Sequence, residues 1–238
     1  MAGYRRRSKI RSIVKAVVLI LLVVGIAGGI YAAYYWNLIP KRTYTAQDFG
    51  IKTIKSSVDF DQDGVDDYTD IMLGARMDAK NHPKYDSRYW ESGYPPDNIG
   101  VCTDVIWRAF KNAGYSLKDM VDKDVEDNLK VYPMKVQDKN IDFRRVTVLK
   151  VYFSRYAKQL TLDTQQKEEW QPGDIVIFED RHIGIVSDKR NKHGIPYLIH
   201  NGAQLRREED ALTTMEITGH YRFDASLIEE DNLLYFKQ

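Results

Sequence analysis

The sequence predicts an α+β body carried behind one N-terminal membrane-spanning helix, and three observations predict it. Residues 16–36 form an unbroken apolar run, long stretches between residues 68 and 159 repeat their apolar positions at helical spacing, and from Pro172 the repeat switches to the two-residue period of strands. Helices first and an antiparallel sheet afterwards is the α+β order.

The run from Ala16 reads A-V-V-L-I-L-L-V-V-G-I-A-G-G-I-Y-A-A-Y-Y-W, about the twenty residues needed to cross a bilayer. Arg5, Arg6, Arg7, Lys9, Arg11 and Lys15 precede it, and Tyr31, Tyr34, Tyr35 and Trp36 close it. Cations on one side and an interfacial aromatic belt on the other place residues 1–15 in the cytoplasm and the body outside a single-pass cell-membrane anchor. A cleaved signal peptide has a shorter apolar core, about 7–15 residues, and a small-residue cleavage site that this run lacks, so an uncleaved signal anchor is expected. Residues 37–57, polar and broken by Pro40, read as a linker to a domain over residues 58–238.

Of the 238 residues, 43% are hydrophobic and 12% aromatic, ample for a packed core. The formal net charge is +1, but six of the cations precede the span, so the remainder carries −5. That balance argues against nucleic acid as a partner. A single cysteine excludes an intramolecular disulfide, so an exported body is held by packing and by any metal it binds.

The domain opens with D-F-D-Q-D-G-V-D-D-Y-T-D. Counting Asp59 as position 1 puts Asp61 at 3, Asp63 at 5, Gly64 at 6, Val65 at 7, Asp67 at 9 and Asp70 at 12, the ligand spacing of an EF-hand-type calcium loop. Calcium takes hard oxygens from several carboxylates and one backbone carbonyl, and carboxylates this dense repel one another without a cation. Asp at position 12 and Asp66 at position 8 depart from the usual pattern, and no good helix enters the loop, so it resembles the single loops of dockerin and thrombospondin-type repeats. A structural calcium ion fixing the start of the helix over residues 68–79 is the expected cofactor, with no organic cofactor.

An aromatic, turn-rich stretch, K-Y-D-S-R-Y-W-E-S-G-Y-P-P-D-N-I-G, leads into I-G-V-C-T-D-V-I-W-R-A-F. Val105, Ile106, Ala109, Phe110 and Ala113 fall at helical spacing and Gly114 ends the run, so Cys102 lies in the first turn of an amphipathic helix. There the helix dipole and unpaired N–H groups favour the thiolate, the nucleophilic form. Further helices are expected over residues 117–129 and 143–159. Then P-G-D-I-V-I-F-E and H-I-G-I-V-S-D form a hairpin, with strands over residues 195–201 and 214–223 beside it.

A nucleophilic cysteine needs a base and the base a partner. His82 and His193 read as surface turns and His220 as a structural strand residue. His182 opens one strand and His200 ends the next, where adjacent strands bring two imidazoles together. His182 would accept the thiol proton and His200 would hold its tautomer.

This order of a helix-start cysteine, P-G-D-I-V-I-F, H-I-G-I-V-S and L-I-H-N resembles the NlpC-type branch of papain-like cysteine peptidases, which cut bacterial cell walls. The resemblance implies a papain-like fold, with helices packed on a small antiparallel sheet, and a Cys102, His182, His200 triad. More closely, G-V-C-T-D-V-I-W-R-A-F, N-I-D-F-R-R-V and I-T-G-H-Y-R-F resemble the bacterial domain-of-unknown-function 1287 family over residues 71–223. V-C-T-D stands where the NlpC type has D-C-S-G, so Asp104 follows the cysteine instead of preceding it. Arg144 and Arg145 are candidates for an anionic contact or for salt bridges at a helix start. The expected function is a membrane-anchored extracytoplasmic thiol hydrolase, a peptidoglycan amidase or peptidase. Its alternatives are a non-catalytic calcium-stabilised wall-binding module, and an acyl transferase or thioesterase using the same cysteine.

Overall fold

The computed structural model describes residues 2–35, 39 and 41–237 and divides into two units between Lys41 and Arg42. The first holds one helix, α1 (Ala2–Tyr35), within which Ile13–Tyr35 is long and apolar enough to cross a membrane. The helix continues back through the basic segment because arginine and lysine are good helix formers. Trp36 of the expected belt and Pro40 of the expected linker lie outside the described residues.

The second unit begins at Arg42, not at residue 58. Much of the stretch expected as a linker lies along this unit: Tyr44 and Arg190 exchange backbone hydrogen bonds of 2.9 and 2.7 Å, Ala46 is buried, and Ile54 N–H donates to Gln171 Oε1 at 3.0 Å. Backbone groups satisfied this way have little reason to detach.

Helix α2 (Asp67–Asn81) is followed by two short parallel strands, β1 (Lys84–Tyr85) and β2 (Ile99–Gly100). Helix α3 (Cys102–Asn112) comes next, with Val105, Ile106, Ala109 and Phe110 buried as the spacing predicts. Helix α4 (Leu117–Asn128) agrees with expectation, whereas the helix expected over residues 143–159 is shorter. A 3-10 turn (Asp142–Arg144) precedes α5 (Val146–Tyr156), and Lys158–Gln159 leave the helix as strand β3. Pairing with residues 221 and 222 gives that backbone a sheet partner, which overrides local helix preference.

The sheet adds β4 (Ile175–Phe178), β5 (His182–Arg190), β6 (Pro196–Ile199), β7 (Glu208–Glu209) and β8 (Ile217–Arg222). Its order is β3-β8-β4-β5-β6-β7, with every neighbouring pair antiparallel. The all-apolar β4 is buried on both faces, and its two-residue period divides the work. Ile175 and Ile177 join the helical core with Phe110, Phe143 and Phe153, while Val176 and Phe178 join Trp170, Leu198 and Leu212 on the other side.

Gly74 is where α2 and α3 approach. A Cβ there would lie 2.5 Å from Asn112 Cβ and 2.9 Å from both Cα and O of Ala109. Alanine is the better helix former by about 1 kcal/mol, but overpacking a fixed contact costs about 1–3 kcal/mol. Gly74→Ala is therefore expected to lower the urea midpoint of the body with no change in m-value; an unchanged or higher midpoint would contradict the close contact.

Candidate active site

Cys102 is the first residue of α3, and the turn that carries it is pinned by a buried ion pair. Asp104 is fully buried; it accepts from Val101 N–H at 2.7 Å and from Trp107 Nε1 at 2.8 Å. Arg144, 7% exposed, donates to the same carboxylate from Nε at 2.7 Å and Nη2 at 2.9 Å, and to Arg88 O from Nη1 at 3.2 Å. Thr103 Oγ1 donates to Arg144 O at 3.0 Å. The shifted aspartate is thus the N-terminal anchor of the cysteine helix, and Arg144 is committed to it. Arg145 Nη1 donates to Asp142 Oδ1 at 3.0 Å, so both arginines take the salt-bridged role.

Cys102 is 6% exposed and packs among Ile183, Ile185 and Ile199 in the helical core. Burial pushes its thiol up to about 11, while the backbone N–H groups of Ile183 and Thr103, within hydrogen-bond reach of the sulfur, pull the other way. The expected stabilisation of a thiolate is overcome. A helix end contributes about 0.3–1 kcal/mol, less than the several kcal/mol for desolvating an ion in apolar packing. Burial raises the phenol of Tyr85 in β1, and the charges of Cys102 and Asp104 act in the same direction.

His182 follows a tight turn in which Glu179 (φ 49°) and Asp180 (φ 54°) are both left-handed, a conformation uncommon for residues other than glycine. Lys150 Nζ and Thr218 Oγ1 hold Asp180 Oδ1 at 2.6 Å each. This fixes where β5 begins. His182 Nε2 lies 2.8 Å from His200 Nδ1, with the rings edge to face at 4.9 Å. The strands come this close because Gly184 has no side chain: a Cβ would meet Ile199 O at 2.9 Å and His200 Cβ at 3.1 Å. Helix α3 packs against β5, which brings the start of the cysteine helix to the strand that His182 opens, but among the described residues no hydrogen bond joins the sulfur to either imidazole.

Residues that the sequence reading missed complete the surroundings. Asn201, fully buried, donates from Nδ2 to Gly100 O at 3.0 Å, tying the end of β6 to the strand before Cys102. Gln204 Nε2 lies 3.0 Å from His200 Nε2, and Glu209 Oε1 lies 3.3 Å from the same nitrogen. Only Asn201 had a sequence signal, its place directly after His200. Of the other histidines, His82 is exposed and bonds Leu205 O at 2.9 Å, and His193 is exposed. His220 is buried, stacked on Trp170 at 3.7 Å and bonded to Asp174 Oδ2 at 3.0 Å. The aspartate of P-G-D therefore serves a structural knot, completed by Arg222 Nε at 2.7 Å.

The acidic loop lies in the same unit. Asp59, Asp61 and Asp63 each bring a carboxylate oxygen within 4.8 Å of the others. Asp59 accepts from Asp63 N–H at 3.1 Å and Gly64 N–H at 2.9 Å, and Asp63 accepts from Val65 N–H at 2.8 Å. Asp67 is occupied differently from expectation: it accepts from Phe60 N–H at 3.0 Å and Tyr115 OH at 2.6 Å. Asp70 is 3% exposed, and its Oδ2 has no hydrogen-bond partner.

Two measurements follow. At pH 7 the native thiol should react with iodoacetamide at least ~10-fold more slowly than in the urea-unfolded chain; equal rates would refute its burial. Burial, then the charge of His200, depress His182 to about 4, so the folded chain keeps this imidazole neutral while the unfolded chain protonates it near 6.5. The associated stability is full above about pH 6.5 and is lost as pH falls towards 4. His182→Gln should remove that part of the pH dependence, seen as a wild-type minus variant stability that shrinks across this window; a constant difference would refute the neutral imidazole.

The family described as Domain of unknown function (DUF1287) matches residues 72–223, which contain Cys102, His182 and His200. "Uncharacterized protein YijF" of Escherichia coli (strain K12) is 37% identical over 165 residues, 64% of this chain and 80% of that protein. No solved structure matches. With the match spanning well over half of the sequence, the chain belongs to the DUF1287 family.

Proposed function

We propose that this protein is a membrane-anchored thiol hydrolase that cuts amide bonds of cell-wall peptides, with Cys102 as nucleophile, His182 as general base and His200 as the partner that orients it. The single observation that carries the reading is the 2.8 Å bond between His182 and His200, made at the start of β5, the strand on which the cysteine helix packs. A structural cysteine needs no such pair of partly dry imidazoles.

The bond uses Nε2 of His182 and leaves Nδ1 to take a proton. Which tautomer is present depends on the far side of His200. If Gln204 donates to His200 Nε2, then His200 Nδ1 carries the hydrogen and His182 Nδ1 is already protonated. If His200 Nε2 donates to Glu209, then His200 Nδ1 accepts from His182 and Nδ1 of His182 is bare. The Glu209 arrangement is the working one, with Gln204 Nε2 donating instead to its other acceptor, His200 O at 3.1 Å, and Glu209 is a positioning residue that acts through His200.

In this mechanism the resting pair is neutral, and the sulfur–imidazole hydrogen bond forms only when substrate enters, as catalytic bonds commonly tighten at that point. Sγ attacks the carbonyl carbon while its proton passes to His182 Nδ1. The Cys102 backbone N–H, at the start of α3, helps hold the oxyanion. The C–N bond breaks with that proton going to the leaving amine, and water then cleaves the thioester. Six cations before an apolar span that ends in aromatics favour an extracytoplasmic body. There a peptide cross-bridge is the amide at hand, and the order of motifs resembles NlpC-type, papain-like peptidases.

The test is release of new amine termini from purified cell wall by the full-length chain in detergent micelles. Cys102→Ala and His182→Ala should each reduce the rate at least ~100-fold. Glu209→Gln should lower kcat about tenfold with KM little changed. Equal release by Cys102→Ala and wild type, or no release by either, would overturn the proposal.

A further inference from the structure

The acidic loop precedes the family match at residues 72–223, and the hydrolase mechanism makes no use of it. We infer that Asp59, Asp61, Asp63 and Asp70, with the carbonyl of Val65, form a calcium site that locks the start of α2. The three convergent carboxylates alone would be an ordinary acidic turn. Asp70 makes the difference.

Asp70 lies in the first turn of α2, and its Oδ2 is buried with no hydrogen-bond donor to meet it. Asn112 Nδ2 serves the other oxygen at 3.3 Å and the backbone carbonyl at 3.0 Å. Asn112, the partner of the other Asp70 oxygen, lines one cleft together with Asp61, which brings Asp70 to the side of α2 where the loop lies. A buried carboxylate oxygen with no donor is costly unless a cation compensates it. Four carboxylates and one carbonyl, completed by water, make a hard oxygen set of the kind calcium takes, six to eight ligands in a flexible cage. Asp67 stands outside this set because Phe60 N–H and Tyr115 OH already occupy its two oxygens.

The loop is attached to the body at its second residue. Phe60 is stacked between Tyr115 and Tyr235, each with ring centroids 4.1 Å away. Asp61 Cβ lies where a side chain at Gly114 would be, 2.8 Å from that Cβ position. An ion here would join the loop, the first turn of α2 and the connection after α3. Since α2 packs on α3, calcium would stiffen the frame behind Cys102 without touching the thiol.

The experiment takes the full-length chain in detergent micelles, stripped with chelator, and adds calcium chloride. Calorimetric titration should count one ion per chain, and the melting temperature should rise by about 5 °C or more at about 1 mM free calcium. Asp61→Asn and Asp70→Asn should each remove at least two thirds of that rise, whereas Asp97→Asn, outside the cluster, should retain it. Asp61 is exposed, so its replacement leaves the fold intact even if that of Asp70 does not. Cys102→Ala should bind calcium like the wild type, which separates this site from the hydrolase reading. No thermal response to calcium, an equal response in Asp61→Asn, or an equal response to magnesium would overturn the inference.

Discussion

The Asp104–Arg144 ion pair is the constraint on which the cysteine's position depends. Both groups are out of water, where an unpaired charge is strongly destabilising, about 3–5 kcal/mol when one partner is removed. Each remaining polar contact of the pair fixes something that must be placed. Asp104 holds the N–H of Val101 and the indole of Trp107, Arg144 O takes the hydroxyl of Thr103, and Arg144 reaches Arg88 O in the aromatic stretch before the helix. The first turn of α3 is therefore fastened from the helix itself, from the turn before α5 and from the segment after β1. A thiol mounted there has little freedom to be anywhere else.

With the sulfur fixed, a gradient of solvation runs through the site. Cys102 lies in apolar packing, His182 is half-buried, and beyond His200 come an amide and a carboxylate, Gln204 and Glu209. Burial acts on the thiol and on the imidazole in opposite senses, because one becomes charged by losing a proton and the other by gaining one. The thiol is raised, His182 is lowered, and both changes favour a neutral pair. A resting thiolate of the kind expected from the helix start alone would need the dipole to outweigh desolvation, and the magnitudes run the other way.

Much of this arrangement was legible in the sequence, and the limits have physical reasons. Strands β4, β5, β6 and β8 and the central helices carry enough residues to display a period. Strands β3 and β7 have two residues each, too few to show one, and exist only because a neighbouring strand pairs with them. The pairing of His182 with His200 could be anticipated from adjacent strands, but not the part of Glu209, which sits in a charged stretch with no local pattern. Arg144 looked available for an anion because its partner is forty residues away. Asp67 fitted position 9 of the loop by spacing, yet Tyr115, far along the chain, holds its carboxylate.

Two of these missed contacts share a cause that bears on how the site is built. Asp67 with Tyr115 and Asp104 with Arg144 are both aspartates in the first turn of a helix, where a carboxylate is already favoured by the dipole. In each, a long-range donor completes the carboxylate, so the start of the helix becomes a junction between distant segments. Helices α2 and α3 begin at such junctions and pack on each other with Gly74 allowing the approach. The geometry around Cys102 is thus set by where two helices start, and a close-packed pair transmits a shift at either start to the other.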